Sequence, residues 1–127
     1  MKQIIVTKGA PEPIGPYSQA ILHGDTLYAS GQIAIDPDSG NLVNKDIETE
    51  TRRVMKNLGA VLNQANMDFS NVVKCTIFIK DMNDFKKINS VYGSFFDPVT
   101  APARETVEVS RLPKDVRVEI SCIAVKN

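Results

Sequence analysis

Only two stretches of this sequence repeat apolar residues at helical spacing, and that count limits the architecture more than any other feature. In the first, Ile47, Val54, Leu58, Val61, Leu62 and Ala65 form one stripe behind Asp46, a good N-cap residue. Glu48, Glu50, Arg52, Arg53 and Lys56 fall on the side read as solvated, and Met67-Asp68 ends the helix. In the second, from near Asp81 to Phe96, the stripe is Met82, Phe85, Ile88, Tyr92 and Phe95. The remaining apolar runs read as strands: Lys2 to Thr7, Ser18 to Leu22, Thr26 to Ile33, Val72 to Lys80, Arg104 to Val109 and Val116 to Val125. The order is β-β-β-α-β-α-β-β, an α+β chain with one mixed sheet, and a 127-residue chain is the size of a single domain spanning 1–127. Two helices can cover only one face of such a sheet.

The uncovered face carries apolar residues in places. Phe78 opposes Ile77 and Ile79, and Ile123 and Val125 oppose Cys122 and Ala124. A partly apolar bare face calls for a partner, which favours a homo-oligomer. Val73, Cys75, Ile77 and Ile79 are expected on the core face of their strand. In the third strand, Leu27, Ala29, Gly31 and Ile33 share one face, and Tyr28, Ser30 and Gln32 the other. Gly31, with no side chain, suggests a bulge or a close approach of backbone to another group. The last two strands are expected to close as a hairpin through Leu112-Pro113-Lys114-Asp115.

Several function classes fall away. Lys plus Arg number 15 and Asp plus Glu also 15, so no bulk charge draws the chain to nucleic acid or to an anionic membrane. No run is long enough for a signal segment or a membrane span, and the chain reads as soluble and cytoplasmic. Cys75 and Cys122 stand alone in apolar stretches, as small core residues in a reducing compartment rather than a disulfide. With His23 as the one histidine, beside the turn-like Gly24-Asp25, a Cys/His zinc site or a Ser-His-Asp triad has little to draw on, and no metal is expected. No dinucleotide, P-loop or nucleophile-elbow motif occurs.

Two regions could carry chemistry. Pro11, Pro13 and Pro16 forbid a helix and hold an extended arm that leads into Tyr17, Ser18 and Gln19. In the last third, Arg104 follows the loop bracketed by Pro98 and Pro102, while Arg117 and Glu119 lie on the polar side of the final strand. On an exposed strand these are ordinary surface residues. Under a partner, an arginine becomes a two-donor receptor for a small carboxylate and a glutamate can hold a water or take its proton.

The segments Gly15-Pro16-Tyr17-Ser18-Gln19-Ala20, Ser30-Gly31-Gln32, Pro102-Ala103-Arg104 and Arg111-Leu112-Pro113-Lys114-Asp115 through Val118-Glu119-Ile120 together resemble the RidA (YjgF-like) reactive-intermediate deaminases. The resemblance covers essentially the whole chain. It implies a chorismate-mutase-like fold and a homotrimer with sites at subunit interfaces. It also implies hydrolysis of 2-imino or enamine acids, such as 2-iminobutanoate and 2-iminopropanoate, to 2-keto acids and ammonia, without metal or organic cofactor. By the same resemblance, Arg104 binds the substrate carboxylate, Glu119 contacts the catalytic water, and Tyr17, Ser30, Gly31 and Asn89 line the pocket. Thr106 stands where many bacterial members have cysteine, and its hydroxyl can still orient a water. Glu105 replaces a small or apolar residue and should point to the strand face opposite Arg104. Family members have also been linked to RNA cleavage, translation inhibition, chaperone-like activity and binding of regulators. The lack of a basic stripe and of Trp gives nucleic-acid binding little support.

Overall fold

A computed structural model describes residues 1–127, all of the chain. Eight main elements follow in order: β1 (Lys2–Ile5), β2 (Ala20–His23), β3 (Thr26–Gln32), α1 (Ile47–Gln64), β4 (Val72–Ile79), α2 (Phe85–Gly93), β5 (Ala103–Glu108) and β6 (Val118–Val125). Asp46 caps α1, its carboxylate accepting from the Thr49 N–H at 2.7 Å. The second helix is shorter than its apolar pattern. A 3₁₀ turn over Met82–Asp84, capped by Asp81, precedes it and leaves Met82 exposed.

The six strands form one sheet in the order β1-β2-β3-β6-β4-β5. The expected β5–β6 hairpin does not form. Instead β5 pairs parallel to β4, and β6 lies between β3 and β4, antiparallel to both. The connection through α2 makes β4 and β5 a parallel crossover pair. Side-chain polarity decides the rest. Val118, Ile120, Cys122 and Ala124 are buried, which suits a central strand, whereas Ala103–Glu108 is almost wholly exposed and takes the edge.

Both helices lie on one face, where Val54, Leu58, Val61, Leu62 and Ile88 pack with Leu27, Ile77, Ile79 and Ile120 in a single core. Two irregularities re-aim side chains. Between Val72 and Lys74 the β4–β6 register slips, so Val72 enters the core and Val73, expected there, is exposed. Between Ala29 and Gln32 the β3–β6 register slips likewise, which buries Gln32 and releases Gly31 to the opposite face. Glu50 is the largest departure from the helix pattern. It is fully buried, not solvated, because its carboxylate accepts from the Arg117 backbone N–H at 2.8 Å and from Arg117 Nε at 2.7 Å. A buried carboxylate needs such a partner. Arg117 is thereby turned to α1 and away from the face that carries Glu119.

The bare face carries the row Ile4, Ile21, Tyr28 and Ile123 across β1, β2, β3 and β6, with Phe78 and Val107 farther along. Ile4 is 55% and Tyr28 52% exposed, a large apolar area for a sheet surface. No helix is long and apolar enough to cross a membrane.

Candidate active site

The proline-rich arm is tied to the sheet by one side chain. Gln19, 2% exposed, accepts from the Thr7 N–H at 2.7 Å. Its amide nitrogen donates to the carbonyls of Thr7, Ala10 and Pro11. Both ends of its amide thus go into holding the arm. Ser30 adds a second tie, its hydroxyl donating to the Ser18 carbonyl at 2.6 Å. Tyr17 is folded back on the arm, its hydroxyl accepting from the Ile14 N–H at 3.3 Å.

Arm, β3, β6 and the turn before it border an open cavity of about 720 Å³ whose lining includes Tyr17, Ser30, Gly31, Lys114 and Glu119. Gly31 is needed here. A Cβ at this position would sit 2.1 Å from Glu119 Oε2, so the bulge lets the backbone pass directly beneath the carboxylate. Burial, with no cation beside it to compensate, pushes the Glu119 carboxyl above its ordinary range. Asn57 holds the segment after β3 that walls this cavity, donating to the Ile33 and Ile35 carbonyls at 3.0 Å each. Lys114 arrives on a turn in which it and Asp115 both take left-handed φ values of 56°. A two-point contact from Arg111 to Asp115, at 2.7 and 3.3 Å, holds that conformation.

The other residues singled out from sequence lie elsewhere. Arg104 pairs in register with the buried Cys75, so it projects from the helix-covered side of β5, and Thr106 shares that face. Glu119 is two strands away, roughly 10 Å across the sheet, and on the bare face. Within one chain the two do not meet. Arg104 has no acidic partner, unlike Arg111 and Arg117. Its Nη1 donates to Asn89 Oδ1, and its guanidinium lies over the rings of Phe85 (5.7 Å) and Tyr92 (5.3 Å). Thr106 Oγ1 and the Tyr92 hydroxyl, close by, are buried without a hydrogen-bond partner. Glu105 points to the other face, as expected, where Thr76 donates to it and Lys74 lies at 3.1 Å; both hold its carboxyl below the ordinary range. Cys75 and Cys122 face each other across β4 and β6 as free thiols, and burial pushes both up, Cys122 to about 12. Neither is an activated nucleophile.

Chemically, one chain therefore presents two separate regions: a partly apolar cavity with a carboxylate of raised proton affinity, and an edge where an uncompensated guanidinium stands beside unpaired hydroxyls. Sequence reasoning overlooked Gln19 as the tie of the arm and Lys114 as a cavity wall. The placement of Gln19 next to three prolines is the available signal; for Lys114 it is the segment Arg111-Leu112-Pro113-Lys114-Asp115, which locally reads as a hairpin turn.

Residues 7–126 match the sequence profile described as Endoribonuclease L-PSP. This chain belongs to the RidA (YjgF) family. A RutC family protein of Synechocystis is 52% identical over 97% of this chain and 95% of its own. Human 2-iminobutanoate/2-iminopropanoate deaminase is 44% identical over 99% of this chain and 91% of its own. Among solved structures, a Rid-family protein from Yersinia pestis superposes with a TM-score of 0.95 at 52% identity, covering 99% of this chain and 100% of that one. TdcF of E. coli, solved with bound serine, gives 0.93 at 42% identity over 98% and 99%. The RidA fold is thus that of this chain from end to end.

Proposed function

We propose that this RidA-family chain hydrolyses 2-imino acids to 2-keto acids and ammonia, as a 2-iminobutanoate/2-iminopropanoate deaminase, with Arg104 as the carboxylate anchor and Glu119 as the base. The observation that carries the reading is the state of Arg104: a guanidinium held only by neutral groups, its charge uncompensated, with N–H groups beyond the one given to Asn89 left for a planar carboxylate. The deaminase names of the mammalian relatives and the serine bound by TdcF, itself a small α-amino acid, support it.

In this scheme a protonated imine is anchored through its carboxylate, and a water attacks the imine carbon while Glu119 takes its proton. The C–O bond forms as the C=N π pair moves to nitrogen. Glu119 then returns the proton to the amine of the carbinolamine. The C–N bond breaks, the remaining hydroxyl gives its proton to Glu119 as the keto group forms, and Glu119 passes that proton to the departing ammonia, which leaves as ammonium. Raised proton affinity suits Glu119 for both transfers. Tyr17, Ser30, Gly31, Asn89 and Thr106 shape the pocket.

Because the Arg104 and Glu119 halves lie on opposite faces of one sheet, a working site joins one half from each of two copies. A closed homotrimer would make three such sites and cover the apolar row of the bare face. Light scattering that returned a monomer of about 14 kDa at micromolar concentration would remove this assembly.

The function is tested by following 2-ketobutyrate formed from threonine by a threonine dehydratase, with and without the protein. Arg104→Lys should be impaired and Arg104→Ala more so, with mass and melting temperature unchanged. Full activity of Arg104→Ala would overturn the anchor role. No acceleration by the parent protein, with salt-sensitive RNA binding instead, would favour the ribonuclease reading.

A further inference from the structure

We propose that the face of α2 formed by Phe85, Asn89 and Tyr92 is a positioning device for Arg104, two aromatic rings and an amide that aim the guanidinium while leaving its charge free. The inference rests on the reading of Arg104 as carboxylate anchor. Positions 85, 89 and 92 recur at spacings of four and three, so they stack along one side of the helix. That side faces the edge strand at Arg104.

Three observations distinguish this from ordinary core packing. First, Arg104 sits on an exposed edge strand, where a long side chain would otherwise sample many rotamers. Its guanidinium is nevertheless within cation–π range of two rings at once, 5.7 Å from Phe85 and 5.3 Å from Tyr92. Second, the hydrogen-bond partner and both ring neighbours of the guanidinium are neutral. A carboxylate at position 89 would hold the arginine as firmly but would compete with the substrate for the same fork, whereas the Asn89 oxygen accepts one N–H and leaves the charge intact. Third, the ring of Tyr92 is itself immobilised: it is 5% exposed, packs against Phe96 at 4.9 Å, and its hydroxyl has no hydrogen-bond partner. The hydroxyl lies by the buried Cys75 thiol, away from the guanidinium, so Tyr92→Phe separates its role from that of the ring face. A two-point carboxylate contact demands that the plane of the fork be set before substrate arrives.

The test compares Tyr92→Phe, Tyr92→Leu, Phe85→Leu and Asn89→Asp with Arg104→Ala, on samples whose mass and melting temperature are measured. The readouts are KM and kcat for imine hydrolysis, and inhibition by 2-ketobutyrate, which carries the same carboxylate. Tyr92→Phe, which keeps the ring, should stay within about twofold of the parent. Loss of either ring face should raise KM and the 2-ketobutyrate inhibition constant together by roughly tenfold. Asn89→Asp should raise both without lowering the melting temperature. If Arg104→Ala is impaired while Phe85→Leu, Tyr92→Leu and Asn89→Asp keep the parent's KM and inhibition constant, the positioning role is overturned and the anchor stands. If the ring variants lose only melting temperature and kcat, the rings merely pack, and the proposal also falls. Should Tyr92→Leu fail to fold, the half-buried Phe85 decides alone. A fully active Arg104→Ala is the separate result that removes the anchor itself.

Discussion

Replacing Gly31 by alanine should slow the reaction on the order of a hundredfold while sparing the fold. The added Cβ would stand 2.1 Å from Glu119 Oε2, 2.9 Å from Cδ and 3.0 Å from Cγ, whereas ordinary contact begins near 3.4 Å. One partner must therefore move by more than 1 Å. The backbone of β3 is held by the β6 ladder on one side and by the Ser30 ties to the arm on the other. The Glu119 side chain, half-buried and free of hydrogen bonds, yields first. Turning it off its present rotamer costs about 0.5–1.5 kcal/mol, or a few degrees of melting temperature for a domain of this size. Catalysis is far more sensitive. A 1 Å displacement of a group that holds the attacking water costs on the order of a hundredfold in rate. The assay is dehydratase-coupled imine hydrolysis beside calorimetry and light scattering. The Gly31→Ala, Glu119→Gln double variant should be no slower than Glu119→Gln alone, since both changes remove one function. A Gly31→Ala protein that hydrolyses imine at the parental rate would show that the position of Glu119 does not matter, and the base would have to be sought elsewhere.

Other perturbations give distinct signatures. Burial raises the Glu119 pKa, so the folded state binds its proton more tightly than the unfolded state, and this residue lowers stability as pH rises from the ordinary 4.5 through the folded value. The melting temperature of Glu119→Gln relative to the parent should therefore climb with pH across that window, and parental kcat/KM should fall on the acid side with an apparent pKa above 4.5; a relative melting temperature that fell with pH would contradict the assignment. Arg117→Ala leaves the fully buried Glu50 carboxylate with only the backbone N–H of residue 117 and should cost about 1.5–3 kcal/mol by denaturant titration. Glu50→Ala leaves a guanidinium 37% exposed that water can reach, so it should cost less; the reverse order would show that the pair is not what holds α1 to β6. Gln19→Leu keeps the volume but frees the arm, and a loss of about 2–3 kcal/mol with faster proteolysis near Pro13 is expected.

What the chain's local patterns determined was the set of elements. Helical spacing over Ile47 to Ala65, alternation in β6 and the Asp46 cap depend on residues within a few positions of each other, and those interactions are legible in order along a sequence. The bare apolar face also followed, because two helices cannot cover both sides of six strands. So did the need for Gly31, as the residue at which backbone must pass close to something. The tertiary structure alone decided the neighbours. β6 reached the centre of the sheet because four of its side chains could all be buried there, a comparison with β5 that no local pattern makes. Glu50 became a core residue because Arg117, far along the chain, met it. One-residue slips at Val72/Lys74 and Ala29/Gln32 reversed which side chains face the core, since a strand's period is two and a single inserted residue inverts it. The same geometry set Arg104 and Glu119 on opposite faces. Their residue types had suggested one site, but a sequence gives no distance across a sheet. That separation comes from strand order and register, which long-range packing determines.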